Sequence, residues 1–238
     1  MRTPYPRSLS IIVTTLLSMS ASQLAAAQES HQHAENDSHH DHQHEHEHEH
    51  EHEHEHEHEH DNDIYSGHFE DSQIEDRSLS DWEGDWQSVY PYLRDGTLDE
   101  VFAHKAEHGG DKTAEEYKQY YEKGYQTDVD RIVIDGNTVT FHKDGTEATG
   151  EYLYDGYEIL TYEAGNRGVR YIFQLEDGSQ LPEYIQFSDH SIYPTDASHF
   201  HLYWGDDREA LLDEVSNWPT YYPSAMDGTE VAHEMMAH

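Results

Sequence analysis

Not one cysteine occurs in the 238-residue chain, so no disulfide, thiolate ligand or cysteine nucleophile is open to it, and its core must hold by burial alone. Positive charge is scarce as well: 13 Lys and Arg stand against 51 Asp and Glu, a formal net charge of −38. Such a field repels phosphate backbones and attracts dissolved cations, which argues against nucleic acid as a partner and for metal ions. Long apolar runs are also missing. The one apolar stretch, Leu9 to Met19, falls well short of the roughly 20 residues a spanning helix needs, so no membrane insertion is expected.

What is present divides into three parts. Arg2 and Arg7, the apolar stretch after them, and Ala25-Ala26-Ala27 have the layout of a cleaved export signal over residues 1–27. The mature chain is then expected to start near Gln28, outside the cytoplasm. Residues 28–63 contain no Lys, Arg, Leu, Val, Phe or Trp but 14 of the 23 histidines, nine of them in the strict alternation HEHEHEHEHEHEHEHEH from His44 to His60. This arm cannot bury enough apolar surface to offset the entropy of ordering, and it reads as a disordered, metal-collecting segment. Residues 64–238 carry all four tryptophans and nearly all the tyrosines, as one folded domain would.

Within that domain the spacing predicts short helices first and strands next. Ser80-Asp81-Trp82-Glu83 has capping-box spacing, and Leu98 to His108 and Thr113 to Lys123 have helical patterns, closed by Gly109-Gly110 and by Gly124. Runs rich in β-branched and aromatic residues follow at Asp130 to Ile134, Thr138 to His142, Glu151 to Tyr154, Glu158 to Tyr162, Val169 to Leu175 and Tyr184 to Ser188. Between them stand Asp135-Gly136-Asn137, Asp144-Gly145, Asp155-Gly156, Ala164 to Gly168 and Asp177-Gly178, all hairpin-turn chemistry. The expected fold is mainly β: a small antiparallel barrel, since closure removes exposed edges, with several short α-helices on its flanks. A further strand is expected at His199 to Tyr203, and helices at Asp207 to Ser216 and Thr229 to Met236.

Chemistry concentrates in SDHSIYPTDASHFHLYWGDD, which holds His190, His199 and His201. Residues two apart on a strand face one side, so His199 and His201 project together, and the turn formers between them and His190 allow it to fold back across from the pair. Three converging imidazoles can hold a zinc ion at about 2.0–2.1 Å, with water or a carboxylate fourth. Imidazole suits zinc, copper or nickel, and zinc is the default. Asp207 is the candidate fourth ligand among Asp189, Asp206 and Asp207, although an acidic residue opening a helix is more often a cap. HKAEH at His104 to His108 matches a zinc-peptidase pattern, but its helix ends at once in glycine and it is read as solvent-facing.

With these residues in place, the chain resembles the ZinT (YodA) family, periplasmic zinc- and cadmium-binding proteins with a calycin-type, lipocalin-like barrel. The resemblance rests on LSDWEGDWQSVYP (Leu79 to Pro91), YYEKGYQTD (Tyr120 to Asp128), YDGYEILTY (Tyr154 to Tyr162), GVRYIFQ (Gly168 to Gln174), YIQFSDH (Tyr184 to His190), SHFH (Ser198 to His201) and NWPTYYP (Asn217 to Pro223). It implies that His190, His199 and His201 are metal ligands, that Asp207 falls where some members have a carboxylate ligand, and that the ion is Zn2+, with Cd2+ as an alternative. It also implies a periplasmic location and a partner, the substrate-binding protein of a zinc ABC importer. Gly150 and Leu175 stand where some members have a cysteine pair, and the arm is longer and more repetitive than the histidine clusters of enteric members.

The leading expectation is therefore a monomeric zinc scavenger or chaperone, not an enzyme. The rival from another class is a zinc-dependent hydrolase or hydratase using the open fourth position, for which no general base stands at motif spacing. A lipocalin-like carrier of organic ligands is the third, weakened by polar histidines expected to point into the barrel cavity.

Overall fold

Eight antiparallel strands close into one barrel in strict sequence order: β1 (Gly84–Ser88), β2 (Arg131–Asp135), β3 (Thr138–Lys143), β4 (Thr146–Thr161), β5 (Arg167–Leu175), β6 (Tyr184–Ser188), β7 (Phe200–Gly205) and β8 (Thr220–Pro223). The computed structural model describes residues 63–109, 111–162, 165–176, 180–214 and 216–237. The expected export signal, the histidine arm and the Asp177-Gly178 turn lie outside them. Closure comes from β8 pairing back on β1, with Trp86 opposite Pro223 and Ser88 opposite Tyr221. Asp144 and Gly145, at φ 50° and 74°, both take the left-handed conformation that a two-residue hairpin turn requires.

Three expectations about these elements are corrected. Glu151 to Tyr154 and Glu158 to Tyr162 are one strand rather than a hairpin, because both halves pair with β5. Asp155-Gly156 is a bulge between them, where the register slips and Gly156 adopts φ 93°. The stretch around Ser80 forms a 3-10 turn, Leu79–Trp82, with Glu83 alone between it and β1.

Among the described residues, helices α1 (Tyr90–Asp95), α2 (Asp99–Gly109), α3 (Ala114–Tyr125), α4 (Arg208–Leu212) and α5 (Gly228–Ala237) flank the barrel. The capping box Thr113 with Glu116 starts α3, satisfying two backbone donors that the first turn leaves open. Gly124 does not end α3, as expected, but lies inside it. A Cβ there would overlap the Trp218 indole ring, so the glycine serves close packing. The helix expected from Asp207 to Ser216 stops at Leu212, because the Glu214 carboxylate accepts the Ser216 and Asn217 N–H groups and turns the chain.

Two apolar clusters hold these layers. The lumen is packed with Trp82, Trp86, Phe141, Tyr152, Tyr171, Phe173, Phe187, Phe200 and Tyr221, together with aliphatic side chains from β2, β3 and β6. The second cluster lies under the helices and joins Val89, Leu93, Val101, Phe102, Tyr125, Tyr222 and Val231. Burying one large apolar side chain contributes about 1.5–3 kcal/mol, comparable with the 2–4 kcal/mol typical of a disulfide. The filled lumen thus substitutes for cross-links. The same filling is visible locally between β4 and β5, where Leu175 and Leu181 fill the space a Cβ on Gly150 would occupy.

Candidate metal centre

Alternation along β7 and β8 decides which side of the wall the histidines occupy. Phe200 and Leu202 belong to the lumen, as does Tyr221 opposite Phe200. His201 and its cross-strand partner Thr220 therefore face outward, on the side of Tyr222, which packs into the helical layer. The expectation that the histidines point into the barrel cavity is corrected: aromatic rings fill the cavity, and the histidines stand between the outer wall and the helices.

The three histidines do meet there. Ring centroids are 6.1 Å apart for His190 and His199, 5.6 Å for His190 and His201, and 6.1 Å for His199 and His201. Three imidazoles bound to one zinc at about 2.0–2.1 Å place their centroids about 5 Å apart. Among the described residues no three His, Asp or Glu side chains already stand at coordinating distance from one point. Closing this trio takes an inward movement of each ring on the order of half an ångström, within the reach of side-chain rotation about the rotamers they occupy. The donor set, three nitrogens without thiol or carboxylate, is one that suits zinc.

Each ring is held differently. His199 is buried and lies flat on Tyr222, centroids 5.0 Å apart and planes within 9°, with its Nδ1 3.3 Å from Ser198 Oγ. His201 is half-buried, and its Nδ1 lies 2.8 Å from Thr220 Oγ1. Desolvation, then the neighbouring His190, His199 and Arg170, hold the His201 pKa well below the ordinary histidine value. That ring is neutral near pH 7, the form that ligates metal. His190 is exposed, stacked against Tyr65 at 4.5 Å, and forms the solvent side of the trio.

His190 also has the backbone outlier of the site, a left-handed φ of 66°. Its neighbour Asp189 explains the geometry. Asp189 Oδ1 accepts the Ser191 N–H at 3.2 Å, bending the chain around His190. The Asp189 carboxylate is in turn gripped by Arg77, Nη1 to Oδ1 at 2.6 Å and Nη2 to Oδ2 at 2.9 Å. Arg77 further donates to Asp81 and to the Thr195 carbonyl, and its guanidinium lies 4.1 Å from the Trp82 ring centroid. Burial pulls the Arg77 pKa down, but Asp189 and then Asp81 outweigh it and raise it overall. Arg77 thus stays charged, and its grip on Asp189 holds the turn bearing His190.

Asp207 is not brought to the trio. Its Oδ1 accepts the Glu209 and Ala210 N–H groups at 3.1 Å each, so it caps α4, and it lines a separate cleft with Tyr203 and Trp204. At about 3.3 Å per residue, β7 carries the chain roughly 13 Å beyond His201 before Asp207 is reached. Asp206 accepts the Glu183 N–H at the same end of the strand. Asp207→Ala is accordingly expected to cost about 1 kcal/mol at most through the lost cap and to leave zinc affinity unchanged. A weakened tight site in a chelator-competition titration would return Asp207 to the ligand set. His104 and His108 stack on each other at 4.2 Å on α2, with His108 Nδ1 2.9 Å from the His104 carbonyl, away from the trio's strands.

Arg77 and Thr220 are the site residues that sequence reasoning missed. The quoted motif NWPTYYP, which contains Thr220, was the available signal for one; for Arg77 the clue was only a basic residue isolated in an acidic stretch.

Comparison with known proteins bears on all of this. A "Probable metal-binding protein YrpE" of Bacillus subtilis (strain 168) is 77% identical over 176 residues, covering 74% of this chain and 70% of its own. The "Zinc-binding lipoprotein AdcA" of Streptococcus pneumoniae (strain ATCC BAA-255 / R6) is 51% identical over 177 residues, and the chain spans only 35% of that longer relative. Among solved structures, Zn(II)-bound AdcA from Streptococcus pneumoniae aligns with a TM-score of 0.72 at 51% identity, over 74% of this chain and 38% of the other. The Zn(II)-bound ZinT-like domain of Streptococcus pneumoniae AdcA aligns with a TM-score of 0.71 at 50% identity, over 73% of this chain and 97% of the domain. Residues 60–238 match the ZinT (YodA) family, described as periplasmic and lipocalin-like and assigned to zinc recruitment, and the chain belongs to that family.

Proposed function

We propose that the protein is an exported zinc recruiter in which His190, His199 and His201 hold one ion and the histidine arm concentrates metal at that site. The observation that carries this reading is the convergence of the three rings under the helical layer, with His190 on the exposed side. A second observation ties the arm to it. His60 ends the alternating run only five residues before Tyr65, and Tyr65 stacks on His190. Weak ligands tethered this near raise the local metal concentration rather than adding affinity of their own.

The metal is then handed to the substrate-binding protein of a zinc ABC importer. In support, the ZinT-like domain of the streptococcal relatives forms part of a longer chain named as zinc-binding. In our reading the acceptor here is a separate protein. Binding without catalysis is the simpler use of this site, because the carboxylate next to His190 in the chain, Asp189, is committed to Arg77 and cannot act as a general base.

Deleting residues 28–63 should lower the number of zinc ions bound while leaving one tight site, measured by metal analysis and competitive titration. The reading fails if the truncated protein binds no zinc tightly.

A further inference from the structure

The structure ties the motif NWPTYYP (Asn217 to Pro223) to the metal site through a chain of hydrogen bonds. The Asn217 side-chain amide donates to the carbonyls of Lys123, Gly124 and Gln126 at 3.0–3.2 Å, satisfying groups that the end of α3 leaves open. The Trp218 N–H donates to the Gly124 carbonyl at 2.6 Å, and its indole covers Gly124. This short segment is therefore fixed to the helical layer at three points. Thr220, only 2% exposed, follows it and donates its hydroxyl proton to the Trp218 carbonyl at 2.9 Å.

That donation has a strict consequence for His201. A hydroxyl has one proton, and a carbonyl can only accept. With its proton directed to Trp218, Thr220 Oγ1 can only accept from His201 Nδ1, 2.8 Å away. Nδ1 must then carry the ring proton, and Nε2 must present the lone pair. Cross-strand pairing of His201 with Thr220 sets the register, so the contact is part of the sheet and not a chance rotamer. Metal-ligating histidines are commonly oriented in this way by a partner on the second ring nitrogen.

We infer that Thr220 is a positioning residue for zinc: it fixes His201 in the tautomer and orientation that offer Nε2 to the ion, and Asn217 and Trp218 hold it in place. The inference rests on the reading that the three histidines bind the metal. It also extends the site beyond its ligands to a residue on the closing strand of the barrel.

Three single variants of the full-length chain test it: Thr220→Val, Thr220→Ser and His201→Ala. Valine keeps the shape of threonine without the hydroxyl, and serine keeps the hydroxyl. Zinc affinity is read by competition with a chelator strong enough to keep the arm empty. Thr220→Val should weaken the tight site about 10–100-fold, the usual cost of losing such a partner, and Thr220→Ser should stay close to the parent.

The second readout is nitrogen-15 NMR of the metal-free protein labelled at histidine. The parent should show a protected imidazole N–H at Nδ1, assigned by its loss in His201→Ala, and Thr220→Val should lose that protection while Thr220→Ser keeps it. A merely structural role for the threonine would change melting temperature without moving this signal. If Thr220→Val binds zinc as tightly as the parent while His201→Ala does not, the positioning role is wrong and the ligand assignment stands. If His201→Ala itself keeps the tight site, the ligand assignment fails and takes the positioning role with it.

Discussion

Alanine at both His199 and His201 is expected to abolish the tight zinc site while leaving the barrel folded. Structural zinc sites with four protein ligands bind with about 10–16 kcal/mol, or roughly 2.5–4 kcal/mol for each ligand. Losing one imidazole then weakens binding on the order of 10²–10³-fold, and losing two leaves a single ring that competes poorly with the arm. The fold should survive, because both rings lie outside the lumen cluster that dominates burial. Competitive titration of the double variant, alongside its thermal melt, measures both halves of this expectation. One zinc bound with the parent's affinity in a folded double variant would remove the trio from the binding site.

The second large effect is on stability. Arg77→Ala should destabilise the fold by about 3–5 kcal/mol, the range seen when one partner of a buried ion pair is removed. Arg77 has no exposed side-chain surface and Asp189 only 2%, so deleting the guanidinium leaves the Asp189 carboxylate in the interior without its partner. That loss is a large fraction of the roughly 5–15 kcal/mol typical of a whole domain. Urea unfolding followed by tryptophan fluorescence would measure it. A change under about 1 kcal/mol would show that the pair behaves like an exposed salt bridge. Arg77→Lys keeps the charge but loses the two-pronged grip on Asp189, so it should fall between the parent and alanine. Because Asp189 shapes the turn at His190, the lysine variant should also bind zinc more weakly.

The barrel and its histidines were legible in the sequence for local reasons. Alternating β-branched and aromatic residues, punctuated by Asp-Gly turns, define β2, β3, β5 and β6 within a residue or two of their observed ends. His199 and His201 share a face because strands have a period of two, a rule that holds wherever the strand sits.

What was not legible depends on distant partners. β1 is five residues long and β8 four, and the pairing between them spans more than 130 residues. Asp207 is close to His201 in sequence, but an extended strand converts that proximity into distance. Asp155-Gly156 has turn chemistry, yet pairing with β5 on both sides makes it a bulge. The face on which the histidines lie also required tertiary information, since alternation groups residues without saying which group faces the lumen. The roles of Arg77 and Thr220 depend on contacts to Asp189 and His201, 112 and 19 residues along the chain.

Closure of the barrel by β8 on β1 has a kinetic consequence. The pairing of Trp86 with Pro223 joins opposite ends of the domain, and topologies dominated by such non-local contacts fold slowly, on the millisecond-to-second scale. His201 pairs with Ser188 on one side and Thr220 on the other, so the trio's supporting wall is complete only when the last strand docks. A chain still emerging from synthesis or translocation, with residues 220–223 not yet delivered, has its histidines but no finished place to use them. If the trio holds the ion as proposed, its capture waits for the end of folding.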